Sequence, residues 1–299
     1  MNRKITGSLS LAFATIIWGS TFVAQSVGMD YVGPFTFQAA RCLLAVLFLV
    51  PVIALFEVKN IKDFWGNWLD KRLWLGGIAC GIALFAAANL QQVGIVSTTA
   101  GKAGFLTAMY IVLVPFVGLF LKRRPGIMAI ASVPVAVVGL YLLSCANVSQ
   151  INTGDILLFG SAFAFAIQIT LVDSFAKKVD NLRLSCIQSL VCAVLSSVVM
   201  FICETPSAGA MLSCWLPICY AGILSMGVAY SLQIVGQRHI EPTAASLIMS
   251  LESVFAAVSG WLILHEKMSP QETIGCILVL TAVILAQIPV NKSKSKSLT

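Results

Sequence analysis

Ten apolar segments, each long enough to cross a lipid bilayer, run through this chain, and nearly all its positive charge falls on alternate connections between them. The segments are 7–27, 34–56, 73–92, 98–120, 126–144, 154–175, 184–203, 213–235, 242–264 and 271–289. At about 1.5 Å rise per residue, each covers a hydrocarbon core about 30 Å thick. In lipid a spanning segment must satisfy its own backbone polar groups, which leaves helices and closed barrels. The strict alternation of barrel strands is absent, so the expectation is an all-α polytopic membrane protein with ten transmembrane helices. Pro34, Pro125, Pro242 and Pro270 stand at segment starts, where a missing N–H costs least. Only 10% of residues are charged, against about a quarter in soluble domains, too few to cover a water-soluble surface. The first segment superficially resembles a signal peptide. It lacks a small-residue cleavage site and nine similar segments follow, so it reads as the first span.

Orientation follows from the loops. Arg3, Lys4, Lys59, Lys62, Lys71, Arg72, Lys122, Arg123, Arg124, Lys177, Lys178, Arg183, Arg238, Lys292, Lys294 and Lys296 lie on one set of connections. The other set holds Lys267 alone among basic residues, beside Asp30, Asp155, Glu204 and Glu266. Basic loops stay in the cytoplasm, so both termini are expected there. The net charge of +7 is then explained by topology and anionic lipid headgroups, and no nucleic-acid partner is expected. Of nine cysteines, Cys42, Cys80, Cys186, Cys192, Cys219 and Cys276 sit inside apolar segments as small hydrophobes. Cys145, Cys203 and Cys214 fall near one face, where a bridge could form.

The two halves resemble each other. GSLSLAFATIIWGSTF matches GDILLFGSAFAFAIQI, with Gly7 on Gly154. Gln38–Ala39 matches Gln188–Ser189, and Thr99–Ala100 matches Thr243–Ala244, at offsets of 144–150 residues. Five is odd, so the second copy enters the membrane from the opposite side. Two inverted five-helix repeats, 1–147 and 148–299 (the second ending in a short basic tail), are the expected organisation. Such repeats place a substrate site at their interface near the midplane. Small residues four apart, such as Gly77/Gly81, Gly104/Ala108, Ser225/Ala229 and Ser246/Ser250, put spans 3, 4, 8 and 9 in an inner bundle. Spans 1, 2, 6 and 7 surround them. Spans 5 and 10, richer in branched aliphatics, suit lipid contact or a homodimer face.

IIWGSTFVAQ, QAARCLLA, TTAGKAGFLTAMYIVLVP, GDILLFGSAFAFAIQITLVD and IMSLESVFAAVSGWLILHEKMSPQETIGCILVLTAVIL together resemble EamA-type transporters of the drug/metabolite transporter superfamily over nearly the whole chain. The resemblance implies a transporter of the cytoplasmic (inner) membrane, with ten helices in two inverted five-helix repeats. It moves small metabolites, often outward, with amino acids and related compounds a common class. Family members often carry proline after the ninth-span glutamate. Here Ser253 follows Glu252, so no proline kink is expected at that point.

Polar residues inside the spans are the candidate site. Glu252 lies about 15 Å deep, where a carboxylate costs several kcal/mol unless neutralised, paired or hydrated. It could bind a substrate amine or carry a coupling proton; it could also brace a neighbouring helix. Lys102, one turn inside span 4, either receives a substrate carboxylate or snorkels to water. Glu252 and Lys102, about 10 Å apart in depth, could hold the two ends of a zwitterion. Arg41, two turns inside span 2, stays charged and needs carbonyls, a carboxylate or water. Trp18, Asn89, Gln91, Gln92, Tyr110, Gln168, Tyr230 and Gln233 either bridge helices or line a wet cavity. Asp173 is expected in water near a span end, and His239 and His265 in loops. His265, Glu266 and Lys267 read as an external turn.

Other classes fit less well. An intramembrane enzyme acting on a lipid or amphiphile would need a nucleophile–base pair or metal motif, and neither H-E-x-x-H nor G-x-S-x-G occurs. A channel would favour repeated pore charges or a filter sequence. No P-loop occurs, so ATP is not the direct energy source, and no cofactor or metal is expected. The expected partners are a small-molecule substrate and membrane lipid.

Overall fold

The computed structural model describes residues 3–57, 67–98, 100–120, 125–144, 152–263 and 268–288. Among them there are helices and turns and no strand. Nine helical segments are long and apolar enough to cross a membrane, and a shorter apolar helix, Ile127–Leu143, makes the tenth. The chain is a multi-pass membrane protein. Its spans are Arg3–Gly28, Pro34–Glu57, Lys71–Ile95, a broken span 4 (Ala100–Ala108 and Tyr110–Phe120), Ile127–Ser144, Thr153–Phe175 and Asn181–Cys203. Span 8 runs through Trp215–Cys219, a π-helical stretch Tyr220–Ala229, and Tyr230–Gln237. Span 9 is broken into Pro242–Met249 and Leu251–Ile263, and span 10 is Pro270–Gln287.

Helix starts are satisfied by nearby carboxylates and amides. Asp70 and Asp180 cap spans 3 and 7, and capping boxes at Asn152/Asp155 and Ser269/Glu272 start spans 6 and 10. Glu204, beyond the end of span 7, reaches across to span 2. It accepts from the Phe35 and Thr36 backbone N–H at 2.9 and 2.8 Å and from the Thr36 hydroxyl at 2.6 Å. A negative charge at a helix N-terminus is favoured by its dipole and orphan donors.

The packing has an exchange pattern. Span 1 lies on 8 and 9, and span 6 on 3 and 4; span 3 lies on 7, and span 8 on 2. Replacing each span by the one five further on turns each of these contacts into its partner. Two pairs of close glycine contacts follow the same rule. A Cβ on Gly7 would meet the Gly236 carbonyl at 3.0 Å, and one on Gly94 would meet the Gly154 carbonyl at 3.0 Å. On span 3, a Cβ on Gly81 would meet the Gln188 carbonyl at 2.9 Å; on span 8, one on Gly222 would meet the Arg41 carbonyl at 2.9 Å. Only glycine lets backbones approach this far in lipid.

Spans 3, 4, 8 and 9 are each more buried than spans 1, 2, 7 and 10, as expected of an inner set, and span 6 joins them. Spans 3 and 8 pack crosswise onto 6 and 7 and onto 1 and 2, and span 6 carries as large a buried share as spans 8 and 9. Spans 5 and 10 pack on each other within one chain. Gly139 and Gly275 make that contact: a Cβ on Gly275 would meet the Gly139 carbonyl and the Leu143 amide nitrogen, both at 2.6 Å. The aliphatic richness of these spans hid the two glycines that decide their partner.

Cys203 and Cys214 are free thiols, and Cys145 lies outside the described residues. So do His265, Glu266, Lys267, the basic residues at 59, 62, 122–124, 292, 294 and 296, and Thr99. Asp173 is buried, not hydrated, with Oδ1 3.2 Å from Lys177 Nζ one turn on.

Candidate functional site

Two helix breaks, each near the middle of its span, lie close together. Span 4 stops at Ala108 and restarts at Tyr110, and span 9 stops at Met249 and restarts at Leu251. No proline sits at either break. At the second, the Ser250 hydroxyl donates to the Leu247 carbonyl at 2.7 Å, and Ser253 N–H turns to the Ser250 carbonyl at 3.2 Å. Serine back-bonding of this kind bends helices. Ser253 itself ties the two broken spans together, its Oγ donating to the Gly104 carbonyl at 2.8 Å.

Each break presents a polar side chain to the other span. Glu252 lies in the first turn of Leu251–Ile263, where the helix dipole favours a carboxylate. Tyr110 opens the second half of span 4, and its hydroxyl donates to Glu252 Oε1 at 3.0 Å. Both side chains are buried.

They open onto a cavity of about 40 Å³. That is room for roughly three waters. Its wall includes Glu252, Tyr110, Arg41, Trp18, Tyr230 and Gln233 from the sequence reading. Trp18 and Tyr230 meet edge to face, with centroids 5.0 Å apart and planes at 63°. Arg41 is 3% exposed and donates from Nε to Gln38 Oε1 at 2.7 Å. Among the described residues no acidic side chain pairs with Arg41 and no basic one with Glu252. Tyr230 lines the same cavity as both. Two cavity atoms are buried without a partner, the Trp18 indole N–H donor and the Gln25 carbonyl acceptor.

Four candidates lie outside this wall. Lys102 Nζ sits 2.6 Å from Asp155 Oδ2, joining span 4 to the start of span 6. Asn89 donates to Ser196 Oγ and to the Phe85 carbonyl, both at 2.8 Å. Gln92 points its amide at the Met29 sulfur, 3.2 Å away. Gln168 joins Gln188 and Gln233 in an amide cluster directly behind the cavity.

Gln25, Thr107, Ser225 and the apolar Phe22, Phe165, Ile169 and Met249 complete the wall with Gln91, whose amide donates to Thr107 Oγ1 at 3.2 Å. Gln25 carried the same signal as Gln168, an amide in an apolar span. Ser225 carried another, since it lies in a π-helical stretch of a kind that marks functional sites, although a sequence does not display a π-helix. The apolar wall residues are indistinguishable from core in one sequence.

A bundle of apolar helices of membrane-spanning length around a cavity that receives several polar side chains is the build expected of a small-molecule transporter. The EamA-like transporter family profile matches residues 5–145 and again 152–287. The chain belongs to that family, part of the drug/metabolite transporter superfamily. It is 30% identical to an uncharacterized transporter of Archaeoglobus fulgidus, over 96% of this chain and 88% of that one. It is 22% identical to the uncharacterized transporter YoaV of Bacillus subtilis, over 93% and 95% of the two chains. A solved crystal structure 18% identical in sequence shares the fold, with a TM-score of 0.76 over 94% of this chain and 96% of the other.

Proposed function

We propose that this membrane transporter carries a zwitterionic metabolite, an amino acid or a close relative, by alternating access between two inverted repeats. One observation carries the substrate class. A buried guanidinium and a buried carboxylate line the same cavity, and neither is neutralised by an opposite charge among the described residues. Unpaired buried charges are costly, and a ligand bearing both a carboxylate and an ammonium answers both. Arg41 takes the carboxylate, Glu252 with Tyr110 takes the ammonium, and the Trp18–Tyr230 pair flanks the side chain. Asn89, Gln92 and Gln168 support the wall from behind. Lys102, held by Asp155, fastens span 4 to span 6 and gives up the carboxylate role to Arg41.

The cavity has water-centre space for about three waters, too little for an amino acid until the walls separate. This is a constricted state, and transport needs a wider one. The exchange pattern of the packing supports inverted halves 1–147 and 148–299, as do the breaks in spans 4 and 9. The loop charges support an orientation with both termini in the cytoplasm, and the family resemblance favours export.

Proteoliposomes loaded in turn with each of the twenty standard L-amino acids, with and without a pH gradient, test the reading. Saturable flux or counterflow of at least one amino acid is expected. Absence of flux for all of them, or turnover of a lipid without solute movement, would contradict it.

A further inference from the structure

We infer that Gln38, which does not line the cavity, sets the orientation of Arg41 and so the strength with which a substrate carboxylate is held. The inference rests on the assignment of Arg41 as the carboxylate partner.

The hydrogen bonds around Gln38 have one consistent direction. Arg41 Nε can only donate, so the atom 2.7 Å away must be the Gln38 carbonyl oxygen. That choice turns the amide N–H₂ toward two sulfurs, Cys42 Sγ at 3.2 Å and Cys192 Sγ at 3.4 Å. Both thiols are buried and touch each other at 3.5 Å. Cys192 Sγ lies 3.9 Å from Ser196 Oγ, which accepts from Asn89 at 2.8 Å. A chain of polar contacts from spans 3 and 7 thus backs the amide in place.

The consequence for Arg41 is geometric. The guanidinium is planar, so fixing its Nε and the Cγ–Cδ stem fixes the plane of the whole fork. The Phe37 ring, 5.9 Å from Cζ, flanks it. With Nε occupied by Gln38, the two terminal nitrogens are left to meet a carboxylate side by side. Gln38 is therefore a positioning residue. It lowers the ordering cost of binding without touching the ligand. Cys192 belongs to span 7, so the orientation also depends on how spans 2 and 7 pack.

The test uses purified full-length protein in proteoliposomes. The probes are the best-transported of the twenty standard amino acids and the amine left when its carboxylate is removed. Gln38→Met, Arg41→Met and the double variant form a cycle. Gln38→Met is expected to raise KM for the amino acid about tenfold, with the maximal rate within about twofold and amine binding unchanged. In the Arg41→Met background the same change should have no further effect. Cys192→Ala, which removes one of the two sulfur acceptors, should weaken amino-acid binding in the same direction by about threefold, and it carries the test if Gln38→Met does not fold. Equal losses for amino acid and amine, or additive effects in the cycle, would overturn the inference. Unchanged affinity in Arg41→Met would instead overturn the carboxylate assignment beneath it. A loss in Arg41→Met with none in Gln38→Met and Cys192→Ala would overturn the role of Gln38 alone.

Discussion

Replacing Glu252 by glutamine removes the capacity to present a negative charge to a ligand and little else. The Tyr110 hydroxyl donates to Glu252 Oε1 at 3.0 Å, and a glutamine carbonyl oxygen can accept the same bond. Volume and burial are nearly unchanged, so a fall in stability is not the expected outcome. What is lost is the ionic part of a contact to a substrate ammonium. A hydrogen bond to a charged group contributes about 1.5–3 kcal/mol, against about 0.5–1.5 for a neutral one. The difference, about 1.5 kcal/mol, corresponds to roughly tenfold weaker binding. The measurement is Kd by equilibrium binding on purified protein, with the transported amino acid and with the analogue in which hydrogen replaces its ammonium. Glu252→Gln should weaken the amino acid about tenfold and leave the deaminated acid unaffected. An unchanged Kd for the amino acid, or the same loss for both ligands, would refute the assignment of Glu252 to the ammonium.

Two further changes separate packing from binding. Gly275→Val places a side chain where even a Cβ would lie 2.6 Å from backbone atoms of span 5; spans 5 and 10 must part, and the yield of monodisperse protein in detergent should collapse. Lys102→Met breaks the 2.6 Å ion pair with Asp155, whose side chains are 13% and 7% exposed, and should lower stability by about 2 kcal/mol in a denaturant titration while leaving the Kd for substrate unchanged.

The membrane-spanning architecture was legible because lipid leaves few choices: a long apolar run that must satisfy its own backbone becomes a helix. The pairing of those helices was harder to read. Gly139 and Gly275 looked incidental among branched aliphatics, yet they bring spans 5 and 10 into backbone contact. Periodicity shows that a small residue is present, not which partner exploits it. The depth of Glu252 pointed to the cavity, and Arg41, Trp18, Tyr110, Tyr230 and Gln233 meet it there. Depth along a helix says nothing of direction around it, and Lys102 faces Asp155 at the start of span 6 rather than the cavity. The break at Ser250 was unreadable for a related reason. Ser253 in place of the family proline argued against a kink, whereas serine back-bonding and the tie to Gly104 accompany one.

A structure of the protein with its transported amino acid bound tests the central claim most directly. The account predicts ligand density between spans 1, 2, 3, 4, 6, 8 and 9. Its carboxylate should meet the terminal nitrogens of Arg41, and its ammonium should lie within hydrogen-bond distance of Glu252, with the walls moved apart to admit it. Density seated elsewhere, or lying in the cavity with its charged ends away from both residues, would contradict it.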